Sequence, residues 1–447
     1  MEKKKLALIT MGCSKNLVDS ERVKHMLEDA GYVVEHNPEN ITADEVVINT
    51  CGFIGDAKEE SVDMILQCVQ AKKEGYIGGI SVMGCLSERY RKELANEVPE
   101  VDRWYGKFDW TDLADELKAA SEIPDEFEKV NSGIVKRTFP EWERSLTTPA
   151  HYTYLKISEG CNRFCAFCAI PLITGRHKSR PMDEIISEVE SLTAKGVKEF
   201  NVIAQDLSSY GTDLYGHHAL AELIDRMAGV HGVGWIRLHY AYPSDFPYDI
   251  LPVMAKHPNV CKYLDIALQH CSDTVLANMR RKITSREQSE LLARIRREVP
   301  GIHIRTTLMV GFPGEGPDEF EELLRFVKEQ RFERMGAFAY CEEEDTFGAR
   351  NFKDSVTPEE KQSRLDRLME AQEEISMELN RDKIGRLVKV LVDSENEEYY
   401  VARTEWDSPE VDPEVLIRKD GRKLQAGEFA YVNIVDAMPY ELIAETL

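Results

Sequence analysis

"YTYLKISEGCNRFCAFCAI", residues 152–170, runs an aromatic and β-branched strand pattern directly into three cysteines, Cys161, Cys165 and Cys168. A segment of strand length followed by a loop of metal-ligand spacing puts the thiols at the carboxyl end of that strand. Downstream come five more strand-like segments: "EFNVIAQD" (199–206), "GWIRLHY" (234–240), "YLDIALQ" (263–269), "HIRTTLMVGF" (303–312) and "RMGAFAY" (334–340). Helical patterns separate them. Six βα units within 151–381 predict an incomplete (βα)6 barrel whose chemistry sits at the strand carboxyl ends. A doubly wound sheet is the alternative for the same alternation.

Upstream, residues 1–120 repeat the alternation on a smaller scale. "LALIT" (6–10), "EVVINT" (45–50) and "GISVM" (79–83) are short, β-branched and apolar, and each precedes a helical pattern. This predicts a parallel α/β sheet domain. Residues 121–150 lose the periodicity, gain proline and charge, and read as a linker. At the other end, "TPEEKQSRLDRLMEAQEEISMEL" predicts a long helix with Thr357 as N-cap, Pro358 in the first turn and Glu360 closing a capping box. From 382 to 447 the pattern turns to short strands, "RLVKVLVDS", "EYYVARTEW", "EVLIRKDG" and "FAYVNIVDAM", which predict a small antiparallel β-barrel.

Composition limits the function classes. The 447 residues are too many for one ordinary core, so two to four domains are expected. The only apolar run near the start is 6–10, and no window approaches the ~20 apolar residues of a membrane span, so a cytoplasmic location and no membrane partner are expected. There thiols stay reduced, and the clustered members of the ten cysteines point to metal or catalysis rather than disulfides. With 56 basic and 80 acidic residues the formal net charge is -24. Such a surface repels a phosphate backbone and favours basic partners, with plain solubility as the other reading.

Three thiolates from one tight C-x-x-x-C-x-x-C loop lack the fourth ligand that a structural zinc site requires, and His177, nine residues beyond Cys168, reads as an ordinary polar residue. A 4Fe-4S cube accepts thiolates at its corners; three of them leave one iron open. An open iron can chelate the amino and carboxylate groups of S-adenosylmethionine, so that an electron breaks the carbon–sulfur bond and yields a primary carbon radical. Phe164 and Phe167 within the run are expected to shield the cluster.

A second triple is spread out. Cys13, Cys51 and Cys85 each lie just past a predicted strand, 38 and 34 residues apart, with Gly12, Gly52 and Gly84 beside them. In a parallel sheet those ends share one edge, where such sheets bind ligands, so the three thiols are expected to converge on a second cluster. Packing of small buried cysteines at strand ends is the plainer alternative. Cys68 reads as helix packing, and Cys261, Cys271 and Cys341 carry no ligand role.

The segments "MGCSKNLVDSE", "NTCGFIGDAKEES", "VMGCLSERY" and "YLKISEGCNRFCAFCAIPLITGRHKSRP" closely resemble the methylthiotransferases of the radical S-adenosylmethionine superfamily. The likeness continues through "QDLSSYG", "RLHYAYP", "YLDIALQH" and "TLMVGFPGE" into a C-terminal module similar to a TRAM domain, and covers essentially the whole chain. "GCSKNLVDSE" and "ARTEWDSPEVD" are similar to the branch that modifies small-subunit ribosomal protein twelve, rather than the branch that modifies tRNA. "AYCEEEDTFGA" departs from the pattern, with Cys341 where serine is usual.

The resemblance implies an N-terminal methylthiotransferase domain (1–120), a radical S-adenosylmethionine domain (151–381) and a TRAM-like barrel (382–447). It implies two 4Fe-4S clusters, one on Cys161, Cys165 and Cys168 that cleaves S-adenosylmethionine, and an auxiliary one on Cys13, Cys51 and Cys85. The implied reaction replaces a hydrogen on an aspartate β-carbon with a methylthio group. A basic ribosomal protein, free or on the ribosome, is the implied substrate, with a flavodoxin or ferredoxin as reductant.

Gly311 and Gly314 in "VGFPGE" are candidates for close backbone approach to S-adenosylmethionine; Arg180, Gln205 and Asp206 read as caps or bridges. Residues 383–447 hold 8 basic and 14 acidic residues, net -6. This disfavours tRNA and suggests that "DSENEE" and "EWDSPEVDPE" steer a basic protein, solvated loops being the alternative. Outside this class stand a non-catalytic iron–sulfur electron carrier or scaffold and a zinc-binding module.

Overall fold

The computed structural model describes residues 4–121, 143–419 and 421–447; residues 122–142 of the expected linker lie outside the described residues. Two compact units emerge, one of residues 1–147 with 170–175, the other of residues 148–169 with 176–447. No helix among the described residues is long and apolar enough to cross a membrane.

In the first unit, β1 (Lys5–Thr10), β2 (Val33–His36), β3 (Ala43–Thr50), β4 (Ile77–Gly84) and β5 (Arg103–Trp104) form a parallel sheet in the order β2-β1-β3-β4-β5. Both faces are covered. Ile9, Ile48 and Val82 pack with Ile65 and Val69, whereas Leu8, Val47 and Met83 pack with Val23, Leu27 and Leu117. That double burial is why the three central strands read as continuous apolar runs. The edge strands β2 and β5 are short and half-exposed, so they carry no such run and escape a reading based on one. Cys68 is fully buried in this core.

The second unit opens with β6 (Tyr152–Lys156), followed by β7 (Ser158–Glu159), which pairs antiparallel with β8 (Lys178–Ser179). Then come β9 (Glu199–Ile203), β10 (Trp235–Ala241), β11 (Val260–Ile266), β12 (His303–Val310) and β13 (Arg334–Ala339). The six long strands are parallel and their spatial order, β6-β9-β10-β11-β12-β13, follows the chain without reversal. A doubly wound sheet needs a reversal; this is the winding of an incomplete barrel.

The chain ends in a closed five-stranded barrel of β14 (Leu387–Glu395), β15 (Tyr399–Thr404), β16 (Glu414–Arg418), β17 (Phe429–Ala437) and β18 (Glu441–Thr446). Four of the five pairings are antiparallel; β18, unforeseen in the sequence, closes the barrel parallel to β16. The helix Pro358–Arg381 is capped by Thr357, whose hydroxyl accepts from the Glu360 amide. Glu360 does not close the expected box, because its carboxylate turns to Arg364 at 2.8 Å.

The loop between β15 and β16 meets the inward side chains near the amino ends of the parallel strands. Glu199 of β9, fully buried, accepts from Arg403 (2.7 and 3.1 Å) and from Arg237 of β10 (3.0 Å). Arg237 continues to the Thr404 and Glu405 carbonyls. Arg334 of β13 pairs with Asp407, Arg305 of β12 with Asp412, and the Tyr152 and Tyr154 hydroxyls both donate to Glu410. These contacts withdraw Asp407, Glu410 and Asp412 from the steering role expected of "EWDSPEVDPE". Glu405 accepts from the Lys262 amide, Glu414 stays exposed, and Asp393 of "DSENEE" is held by Arg403 and His151.

Lys383, at the same seam, is buried, donates to Asn380 Oδ1 at 2.8 Å and lies near the Trp406 ring. Burial, reinforced by the Arg334 charge, pushes its ammonium down to about 7. The unfolded chain then binds more protons than the folded one from about pH 7 up to the ordinary lysine value. Stability of the native protein relative to a Lys383→Met variant should therefore rise with pH, by roughly 1.4 kcal/mol per unit above 7. Urea denaturation of both proteins at pH 7 and pH 9 measures it.

Candidate functional site

Cys13, Cys51 and Cys85 follow β1, β3 and β4, which are adjacent in the sheet, and the order reverses between β1 and β3, where such sheets open a ligand crevice. Their neighbouring glycines explain the convergence. A Cβ on Gly12 (φ +86°) would lie 2.7 Å from both Cβ and Sγ of Cys51, and one on Gly52 would strike the backbone at Cys85 and Leu86. Each cysteine loop thus seats against the next because the intervening residue has no side chain. Asn16 locks the arrangement: its Nδ2 donates to the Met11 and Thr50 carbonyls, and its Oδ1 accepts from Cys85 Sγ at 3.5 Å. Ser61 holds Cys51 by accepting from its amide and donating to its carbonyl, each at 3.0 Å.

Cys13 is exposed, whereas Cys51 and Cys85 are buried. Cys13 caps the helix Ser14–Asp29 and Cys85 begins the helix Cys85–Glu97, so two helix amino termini face the triple and favour negative charge there. Buried Lys107, paired with Asp19 at 2.7 Å, adds a further positive field. Against these, burial raises the Cys51 thiol and pushes Cys85 up to about 12. Such thiols give up their protons only to a strongly binding cation, which is the condition of an iron–thiolate ligand.

In the second unit Cys161, Cys165 and Cys168 occupy the loop that leaves β7, at the carboxyl end of the parallel sheet. The loop is tight: the Cys168 amide donates to the Cys165 carbonyl at 3.1 Å and the Arg163 amide reaches Cys161 Sγ at 3.5 Å. Burial pushes the Cys161 thiol up to about 12. Cys165 Sγ lies 3.2 Å from Arg281 Nη1 and 3.5 Å from the Tyr242 hydroxyl. Phe167 packs with Phe312, Met309 and Tyr340 beneath the loop, as a shield would, whereas Phe164 has a positive φ and lies exposed under the Arg176 guanidinium. Among the described residues no three His, Cys, Asp or Glu side chains converge as the ligands of a single ion would.

Gly311 and Gly314 do have positive φ, but the protein's own packing accounts for both. A Cβ on Gly311 would meet the Lys361 stem at 2.4 Å, and one on Gly314 the Asn278 amide at 2.3 Å. Arg180 pairs with Glu188, Gln205 bonds Glu159, and buried Asp206 holds Arg163 at 2.7 Å while capping the turn at Ser208, so these three bridge and cap. His177 is buried, with Nε2 3.1 Å from Ser179 Oγ. Sequence reasoning gave no role to Asn16, Lys107, Tyr242 and Arg281, each of which meets a cysteine far from it in sequence. Asn16 lies within the quoted "MGCSKNLVDSE" and Tyr242 within "RLHYAYP", whereas Lys107 and Arg281 fall in no quoted motif.

A half-barrel with a three-cysteine loop at the end of its first strand defines a class, the radical S-adenosylmethionine enzymes, and residues 155–327 match that superfamily. Residues 5–106 match the uncharacterized protein family UPF0004 and residues 384–447 the TRAM domain. The chain belongs to the RimO family of ribosomal protein uS12 methylthiotransferases. It is 55% identical over 447 residues to the Parabacteroides distasonis member and 56% identical to that of Phocaeicola vulgatus, covering 100% of each chain in both cases. Among solved structures, the radical S-adenosylmethionine methyltransferase TsrM from Kitasatospora setae shares the fold, with a TM-score of 0.53 at 16% identity over 76% of this chain and 72% of that one. Membership of the superfamily implies S-adenosylmethionine and a 4Fe-4S cluster.

Proposed function

We infer that this protein is a methylthiotransferase acting on ribosomal protein uS12, at the β-carbon of an aspartate. Full-length identity above half to relatives of that name carries the reading. We assign Cys161, Cys165 and Cys168 to the cluster that binds S-adenosylmethionine, and Cys13, Cys51 and Cys85 to a second 4Fe-4S cluster. The three working domains are 1–120, 151–381 and 382–447, with residues 121–150 linking the first two. The location is cytoplasmic and the reductant a flavodoxin or ferredoxin.

When bound, these groups would supply reductive cleavage of the sulfonium and an iron at which sulfur is held. The chain's own part is placement. The Gly12 and Gly52 contacts fix three thiols at one sheet edge, Phe167 and its apolar neighbours keep water from beneath the other loop, and Asp206 anchors that loop through Arg163.

The deciding experiment is mass spectrometry of ribosomal proteins and digested tRNA from cells with and without the gene. Loss of one methylthio group from uS12 alone is expected; loss of a methylthio nucleoside would overturn the substrate assignment. Gly12→Ala tests the auxiliary site. The added Cβ must displace Cys51 at a strained backbone position costing on the order of 1–3 kcal/mol. Iron bound per chain should fall by about half, while S-adenosylmethionine cleavage persists.

A further inference from the structure

We propose that Arg281 is the electrostatic partner of the cluster bound by Cys161, Cys165 and Cys168, and makes that cluster easier to reduce. The inference rests on the assignment of those cysteines. Arg281 is 2% exposed and, among the described residues, forms no ion pair with a carboxylate. Its Nη1 points at Cys165 Sγ at 3.2 Å, its Nη2 donates to the Ala267 carbonyl, and its Nε is buried without any acceptor. Arg163 is the contrast. Its guanidinium, 4.3 Å from the same Tyr242 ring that Arg281 meets at 4.0 Å, is neutralised by Asp206 and Asp245.

A buried guanidinium with no counter-charge is costly unless an anion arrives beside it. The thiolate-ligated cluster is such an anion, and its negative charge grows by one on reduction. A cation and an N–H donor held against one of its sulfurs stabilise the reduced form more than the oxidised form, because potentials follow net charge and hydrogen bonds to sulfur. Tyr242 does not supply this N–H···S contact. Its hydroxyl proton can instead go to the Arg281 carbonyl at 3.2 Å, and its ring braces the guanidinium.

The test is an EPR-monitored redox titration, without S-adenosylmethionine, of full-length protein carrying Cys13→Ala, Cys51→Ala and Cys85→Ala so that one cluster remains. Arg281→Gln, Arg281→Lys and the unaltered parent are compared, with iron content measured alongside. For Arg281→Gln with its iron retained, the reduced-to-oxidised ratio at fixed potential should fall tenfold or more, equivalent to about 59 mV for one electron. Arg281→Lys, which keeps the charge, should stay nearer the parent. An unchanged ratio in iron-loaded Arg281→Gln overturns the proposal and leaves the cysteine assignment standing, even if that variant binds S-adenosylmethionine poorly, since Arg281 would then serve the substrate carboxylate. If Arg281→Gln loses its iron, a loaded Arg281→Lys with parent-like ratio supports the charge role, and loss of iron from both overturns it. Iron retained after Cys165→Ala would instead sink the cysteine assignment itself.

Discussion

A Cys165→Ala protein is expected to fold with both sheets intact, to hold about half the iron of the native chain, and to lose S-adenosylmethionine cleavage and uS12 modification together. Cys165 is only half-buried and its side chain touches Arg281 and Tyr242 rather than the apolar core, so its removal leaves no large cavity. The chemical loss is complete because a cluster left with two protein ligands cannot present one open iron in a fixed place. Cys51→Ala separates the two sites: cleavage should continue while transfer of sulfur stops. Deoxyadenosine release and the mass of uS12, measured on the same samples, distinguish the two variants. Loss of cleavage in a folded Cys51→Ala protein would show that the triples do not act separately.

The second large effect is on stability. Replacing Glu199 by Ala leaves Arg403 and Arg237 facing each other in the interior without their shared carboxylate. Breaking a buried pair in this way costs about 3–5 kcal/mol, measurable as a lower urea midpoint. A double variant with Arg237→Ala should be more stable than the sum of the two single losses, because Arg237 has Glu199 as its carboxylate partner and is the charge left unpaired, whereas Arg403 keeps Asp393. Acid should act on the same network. Burial alone would raise the Asp407 carboxyl, but the Arg334 and Lys383 charges hold it down to about 2. A carboxyl with a folded value below its unfolded one stabilises fully above the unfolded value near 4, and that contribution is lost as the pH falls toward 2.

The two cysteine triples were legible for different reasons. The 161–168 loop carries its spacing in consecutive residues. The 13–51–85 set is visible only once three strands are placed side by side, which their β-branched runs permit. What stayed hidden depends on contacts made across the fold. Arg281 meets Cys165 over 116 residues, and nothing near either position signals the other. "EWDSPEVDPE" looks like a solvated acidic loop until the arginines of β10, β12 and β13 are seen beneath it. β18 was passed over because "ELIAET" sits at the chain's end with no further turn signal behind it. For Gly311 and Gly314, read as points of close backbone approach to S-adenosylmethionine, the structure adds that Lys361 and Asn278 lie against them.

The seam at Glu199 also bears on how the chain is made. Arg237, Arg305 and Arg334 are synthesised well before Asp407 and Asp412, the carboxylates that neutralise the latter two, and Glu199 precedes Arg403 by about 200 residues. A nascent half-barrel therefore carries an unbalanced charge in its floor until the last strands emerge. A chain truncated near 381 would leave Arg305 and Arg334 without their carboxylates. The C-terminal module thus supplies the counter-charges for the floor of the half-barrel.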